Sequence, residues 1–218
     1  MPETPKVLCE RCEKPEALCV CAAIRPLETR HQVLILQHPQ EPDKELGSAR
    51  LAHLALPGST LKIGLSWKNL KHALGREADP RRWAVLYLGS GVRGASSDPL
   101  VLVDKGGKPL PDSRALIEGL EGIIVLDGTW SQAKTLWWRN AWLLKCRRVI
   151  LNPREKSLYG ELRREPRREC LSTLESVAAA LAALGEPEST SKELRELFGQ
   201  LLDRKRAKDR EKRAQRLR

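Results

Sequence analysis

The sequence predicts an α/β fold in which a mostly parallel sheet is flanked by helices and preceded by a small cysteine-rich element. Three observations carry this. Short runs rich in leucine and β-branched residues recur along the chain, with Ile123-Ile124-Val125-Leu126 the most apolar. Segments of helical spacing separate these runs, and strands that alternate with helices pair in parallel. Four of the six cysteines stand within the first 21 residues, a spacing that suits a metal better than a disulfide scaffold.

At the amino end, Cys9, Cys12, Cys19 and Cys21 form the pattern C-x2-C-x6-C-x-C. Two close pairs joined by a short loop can place four thiolates around a tetrahedral Zn2+. With every coordination position filled by protein, such a site is structural and does not activate water. It can supply on the order of 10 kcal/mol to a segment too short for its own core. A redox cluster is the alternative. Cys146 and Cys170 lack close partners and read as buried thiols. The element ends near Ile24, which assigns residues 1–24 to a zinc element, 25–202 to the main domain and 203–218 to a basic tail.

In the main body, Val33 to Gln37 reads as a strand stopped by His38-Pro39, because proline cannot continue a ladder. Ser48 to Leu56 reads as a helix closed by Pro57-Gly58, Leu61 to Gly64 as a strand, and Trp67 to Leu74 as a short helix ended by Gly75. Trp83 to Leu88 is a strand that runs into the Gly89–Gly94 loop, and Val101 to Val103 is another. Ile123 to Leu126 is followed by a helix from Ser131, whose hydroxyl can cap it, to about Leu144. Ala133, Trp137, Ala141 and Leu144 make its buried stripe, which leaves Trp138 and Trp142 partly exposed. Val149 to Leu151 is a strand, Ser172 to Leu184 a helix, and a last helix starts near Ser191 and frays in the tail.

A formal charge of +11 and a pI near 9.6 favour a polyanionic partner, nucleic acid before membrane. No stretch reaches the roughly 18 apolar residues of a membrane helix, and the start Met-Pro-Glu-Thr-Pro-Lys lacks the plan of a signal peptide. A cytoplasmic location is expected. In the tail, nine basic residues face Asp203, Asp209 and Glu211, which suits either a grip on RNA or a solvated helix face.

Asp127 draws attention as a carboxylate at the carboxyl end of a buried strand beside a helix start, where open α/β sheets place ligands. If pressed against Trp130 it is desolvated and a better base, while the indole can stack on a nucleobase. Leu88, Gly89, Ser90 and Gly91 offer backbone that can approach a ligand closely. Arg163, Arg164, Arg167 and Arg168 precede Ser172-Thr173, a basic loop ahead of a helix start that suits an anion. His38 either contacts phosphate or caps its strand.

Taken in order, these pieces resemble the DTW-domain family of tRNA-uridine aminocarboxypropyltransferases. They are C-x2-C-x6-C-x-C, Gln37–Glu41 (QHPQE), Ser48–Ala52 (SARLA), Leu86-Tyr87, Asp127–Lys134 (DGTWSQAK), Arg164–Pro166 (REP) and Leu171–Glu175 (LSTLE). The chain has Gly47-Ser48 where the family commonly has Asn-Thr, and Leu88 where it commonly has Pro. The resemblance implies transfer of the 3-amino-3-carboxypropyl group of S-adenosylmethionine to N3 of a tRNA uridine, giving acp3U and methylthioadenosine. It also implies a SPOUT-like trefoil knot whose loops hold the cofactor.

On this reading Asp127 is the base, and Leu88–Gly91, Thr129, Trp130, Ser172 and Thr173 hold S-adenosylmethionine. His38, Arg50, Trp130, Lys134, Arg164 and Arg167 meet tRNA. The competing readings are a SPOUT-like RNA methyltransferase and a non-catalytic, zinc-containing RNA-binding protein. The oligomeric state stays open: related knotted enzymes are often dimers, but the zinc element and the tail could allow a monomer.

Overall fold

Alternate residues of the central strands belong to different cores, and that alternation organises the molecule. The computed structural model describes residues 7–86, 98–111, 113–153, 155–162 and 171–216. Strands β1 (Gln32–Gln37), β2 (Ser59–Ile63), β3 (Trp83–Leu86), β4 (Leu100–Val103), β5 (Gly122–Asp127) and β6 (Arg147–Leu151) form one sheet in the order β2-β1-β5-β3-β6-β4. Every pairing is parallel except β4 with β6 at the edge.

Val33 and Ile35 of β1 and Ile123 and Val125 of β5 face one core, while Leu34, Leu36, Ile124 and Leu126 face the other. This is the period of two that a strand imposes, and it explains why runs buried on both faces are apolar throughout. The first core is roofed by α1 (Ala49–Ala55), α5 (Thr173–Ala183) and α6 (Glu188–Arg216). The second is roofed by α2 (Leu70–Leu74), α4 (Trp130–Arg139) and the turn Ala141–Lys145. A further short helix, α3 (Arg114–Glu118), leads into β5 and has no counterpart in the sequence reading. Gly122 starts β5 where a Cβ would stand 2.5 Å from the Gln32 carbonyl and 2.8 Å from the Trp83 ring. Only glycine lets β5 pass there.

Several helix ends differ from expectation, each for a local reason. Thr129, and not Ser131, caps α4: its hydroxyl accepts from the Gln132 N–H at 3.4 Å, and the Gln132 side chain accepts from the Thr129 N–H at 2.6 Å. The helix stops at Arg139 because Asn140 turns inward. Its side chain accepts from Trp67 N and Trp142 Nε1 and donates to the carbonyls of Leu65 and Leu136. Trp142 is therefore buried, contrary to expectation, and Leu136, absent from the expected stripe, is the fully buried residue of α4, whereas Leu144 is exposed. Helix α2 starts later than expected, with Asn69 capping it by accepting from His72 N.

Helix α6 begins at Glu188, just after Pro187, and runs through the basic tail as one element. Pairs such as Lys205–Asp209 at 2.8 Å and Arg206–Asp203 at 2.7 Å lie along it. The amino-terminal element packs on this same helix, with Leu18, Val20 and Ile24 sharing the first core with Leu197, Phe198 and Leu201.

Candidate active site

Strand β5 ends in Asp127, which stands in register with Gln37, the last residue of β1. Both side chains are buried, and Gln37 Nε2 donates to Asp127 Oδ2 at 2.8 Å. The other carboxylate oxygen accepts from the hydroxyl of Thr173, the first residue of α5. The next residue of the first strand, His38, donates its N–H to the Asp127 carbonyl at 2.9 Å. The carboxylate is thus gripped by side chains from β1 and α5 and not by packing alone.

Three helix starts meet around it. The α4 start carries Thr129 and Trp130, with Trp130 about one third exposed at 37%. Its capping box requires Gly128, since a Cβ there would stand 2.8 Å from that of Gln132. Gln132 Nε2 reaches Gln40 Oε1 at 3.1 Å, so the box also braces the loop after β1. The α5 start is closed by Ser172 and Glu175, each accepting from the other's N–H at 3.1 and 2.9 Å. The buried Ser48 hydroxyl, at the α1 start, accepts from Leu174 N at 3.1 Å. The N–H groups of Ser172, Leu174 and Glu175 are therefore used within the protein.

The amino-terminal element reaches the same region. The Sγ atoms of Cys9, Cys12, Cys19 and Cys21 all lie within 4.8 Å of one another, and those of Cys9 and Cys21 are 3.7 Å apart. A tetrahedron with Zn–S bonds of about 2.3 Å has edges of about 3.8 Å, so the four sulfurs fit such an ion. All four cysteines are free thiols. The backbone N–H groups of Cys12 and Arg11, directed at the Cys9 sulfur, lower its pKa to about 6, whereas burial raises that of Cys12. Directly after the second ligand, Cys12, the chain places Glu13 at φ 57°, a left-handed conformation that is uncommon outside glycine. Its carboxylate pairs with Arg50 of α1 at 2.6 Å.

Next to it, Lys14 is buried, and its Nζ donates to the Glu45 carbonyl at 2.9 Å. Burial pulls its pKa down to about 8, against the opposing charges of Cys12, Glu45 and Asp127. The Glu45 carboxylate is in turn held by Lys208 at 2.6 Å and Lys205 at 2.9 Å, and their hydrogen bonds lower its pKa to about 2. Two lysines of the basic tail therefore clamp the loop that enters α1.

Of the expected site residues, Asp127, Thr129, Trp130, Thr173, Ser172 and His38 lie around one centre, and Arg50 stands at its rim paired with Glu13. Lys134 is exposed on the first turns of α4. Leu88, Gly89, Ser90, Gly91, Arg164 and Arg167 lie outside the described residues. Gln37, Ser48, Lys14 and Glu45 were not singled out as site residues. The available signal for Gln37 was an amide at the end of an otherwise apolar strand. Ser48 lies inside a matched motif.

The DTW domain family model matches residues 6–206. The chain is similar to proteins named tRNA-uridine aminocarboxypropyltransferase 2. It is 31% identical to that of Macaca fascicularis over 184 residues, covering 81% of this chain and 56% of the relative. For Mus musculus the identity is 31% over 180 residues, with the same coverage. For Drosophila melanogaster it is 34% over 182 residues, covering 81% of this chain and 66% of the relative. The chain thus spans between about half and two thirds of the length of these curated relatives. No solved structure matches it. A match that takes in the four cysteines, the Asp127 strand end and all three helix starts around it has one meaning: the chain belongs to the DTW domain family.

Proposed function

We propose that this protein transfers the 3-amino-3-carboxypropyl group of S-adenosylmethionine to N3 of a tRNA uridine. The observation that carries the proposal is Asp127, a buried carboxylate fixed by Gln37 and Thr173 at the end of the central strand. The names of the relatives supply the substrate class. N3 of uridine is an imide nitrogen and becomes a nucleophile when its proton is removed, which is the task of a general base. The N3 lone pair then forms a bond to the γ-carbon of the amino-acid arm. The carbon–sulfur pair returns to sulfur, the sulfonium becomes a neutral thioether, and methylthioadenosine leaves. The proton rests on Asp127 until water takes it.

Selecting the γ-carbon over the methyl is a matter of alignment, because both groups are bonded to the same sulfonium. Trp130, beside Asp127 in sequence and partly exposed, offers a face for adenine or uracil. Thr129 and Ser172 give their hydroxyls to the helix caps and act as frame. The four-cysteine cluster is assigned Zn2+ in a structural role, held by Cys9, Cys12, Cys19 and Cys21. Its thiols suit a reducing cytoplasm. We also read the fold as SPOUT-like, supported by the placing of β5 between β1 and β3, which sends the chain back to the sheet centre after β4.

The test is incubation of tRNA with S-adenosylmethionine labelled separately in the methyl and in the aminocarboxypropyl arm. The arm label should appear in RNA as acp3U. Methyl label in RNA overturns the reading in favour of a methyltransferase. RNA binding with no label transferred makes the protein a binding module.

A further inference from the structure

We propose that the exposed face of α4, a stripe of Trp130, Lys134 and Trp138 flanked by Arg139 at the helix end, docks the single-stranded RNA flanking the target uridine. This deepens the proposed function and rests on tRNA being the substrate. Trp138 is 77% exposed, an unusual state for an indole, because α4 buries its other face through Ala133 and Leu136. Trp130 and Leu144 are also exposed large apolar residues. The stripe follows i, i+4, i+8 spacing and starts three residues beyond Asp127. Eight helical residues advance about 12 Å, roughly the span of three to four phosphates of a stacked strand.

Charge supplies the second argument. Residues 128–154 contain six basic residues, Lys134, Arg139, Lys145, Arg147, Arg148 and Arg154, and no acid. Arg147 and Arg148 are occupied, with Nε of the first donating to the Arg81 carbonyl at 2.9 Å and Nη1 of the second to the Lys105 carbonyl at 2.9 Å. Lys134, Arg139 and Lys145 pair with no carboxylate among the described residues. Lys134 and Arg139, on the same helix as the exposed indoles, match a strand that offers phosphates and unstacked bases together. A paired duplex hides its bases and gains nothing from the indole. A second copy of the chain fits poorly, since a two-fold contact would set these same cations against each other.

The experiment titrates the full chain with three probes: unmodified tRNA transcripts, a short single-stranded uridine oligonucleotide, and a blunt RNA duplex. Trp138→Ala should raise Kd for the first two by about 5- to 150-fold, the usual worth of one stacked base. Trp138→Phe should restore most of the loss, and duplex binding should not change. Neutralising Lys134 and Arg139 to glutamine should flatten the slope of log Kd against log salt by about 1.4. Transfer and sedimentation are measured in parallel. Unchanged tRNA affinity in Trp138→Ala, with parent transfer intact, overturns the surface and leaves the activity standing. Loss of affinity in the variant, where the parent transfers nothing, supports the surface and removes the activity. An equal loss on duplex, or a dimer dissociated with tRNA affinity intact, overturns the proposal.

Discussion

Replacing Thr173 with valine separates holding Asp127 from the chemistry of Asp127. Valine keeps the branched shape at the first position of α5 and removes only the hydroxyl that donates to the carboxylate. The Ser172–Glu175 box and the Ser48 bond to Leu174 do not involve that hydroxyl. Asp127 is 6% exposed, so bulk water is a poor substitute for the lost donor. A hydrogen bond to a charged group contributes about 1.5–3 kcal/mol. If the same energy holds the base in line, transfer slows by about 10- to 150-fold at 1.36 kcal/mol per decade. The assay is steady-state transfer over a range of tRNA and S-adenosylmethionine concentrations up to saturation, alongside thermal unfolding. The variant should lose rate with both KM values near those of the parent, and Thr173→Ser should recover it. Loss of stability with an unchanged rate refutes the positioning role. A raised KM for S-adenosylmethionine alone makes Thr173 a cofactor contact instead.

Three further outcomes follow from the network around the site. Glu45→Gln removes a carboxylate whose pKa is lowered from 4.5 to about 2 by hydrogen bonds from Lys208 and Lys205. Its contribution is fully present above pH 4.5 and lost as pH falls through about 2, so the parent's advantage in unfolding free energy, about 1 kcal/mol after solvent screening, should shrink across that window. Elemental analysis of the parent should find one equivalent of zinc, and Cys12→Ser should abolish it. It should also lower the melting temperature of the whole chain, because Cys12 and Leu18 share the core with Phe198 of α6. Ending the chain after Asp209 should flatten the salt dependence of tRNA binding and leave stability intact. Ending it after Leu202 should also destabilise the fold, since Lys205 and Lys208 are then lost to Glu45.

The elements most legible in the sequence are those whose burial is set by the chain locally. Val33–Leu36 and Ile123–Leu126 could hardly be anything but strands covered on both faces, and Asp127 at the end of one was conspicuous. The four cysteines declared their cluster by spacing alone. Caps were less legible, because Thr129 and Ser131 are both good cap residues and the choice rests on which one faces Gln132. Asn140 ends α4 through partners as distant as Leu65 and Trp67, which no local pattern reveals. The same holds for Glu45, whose lysines lie 160 and 163 residues away. Strand order is a further long-range property. Periodicity shows that β5 is central in burial, but not that it lies between β1 and β3.

The transfer rate of Asp127→Asn tests the central claim most directly. Asparagine keeps the size of the side chain and a carbonyl oxygen that can still accept from Gln37 or Thr173, but it cannot take a proton from N3. With tRNA and S-adenosylmethionine both saturating, the rate should fall about 100- to 10,000-fold, the usual effect of losing a general base. The affinities for tRNA and S-adenosylmethionine should stay near those of the parent. A variant that transfers the aminocarboxypropyl group within about threefold of the parent rate would contradict the assignment of Asp127 as the base.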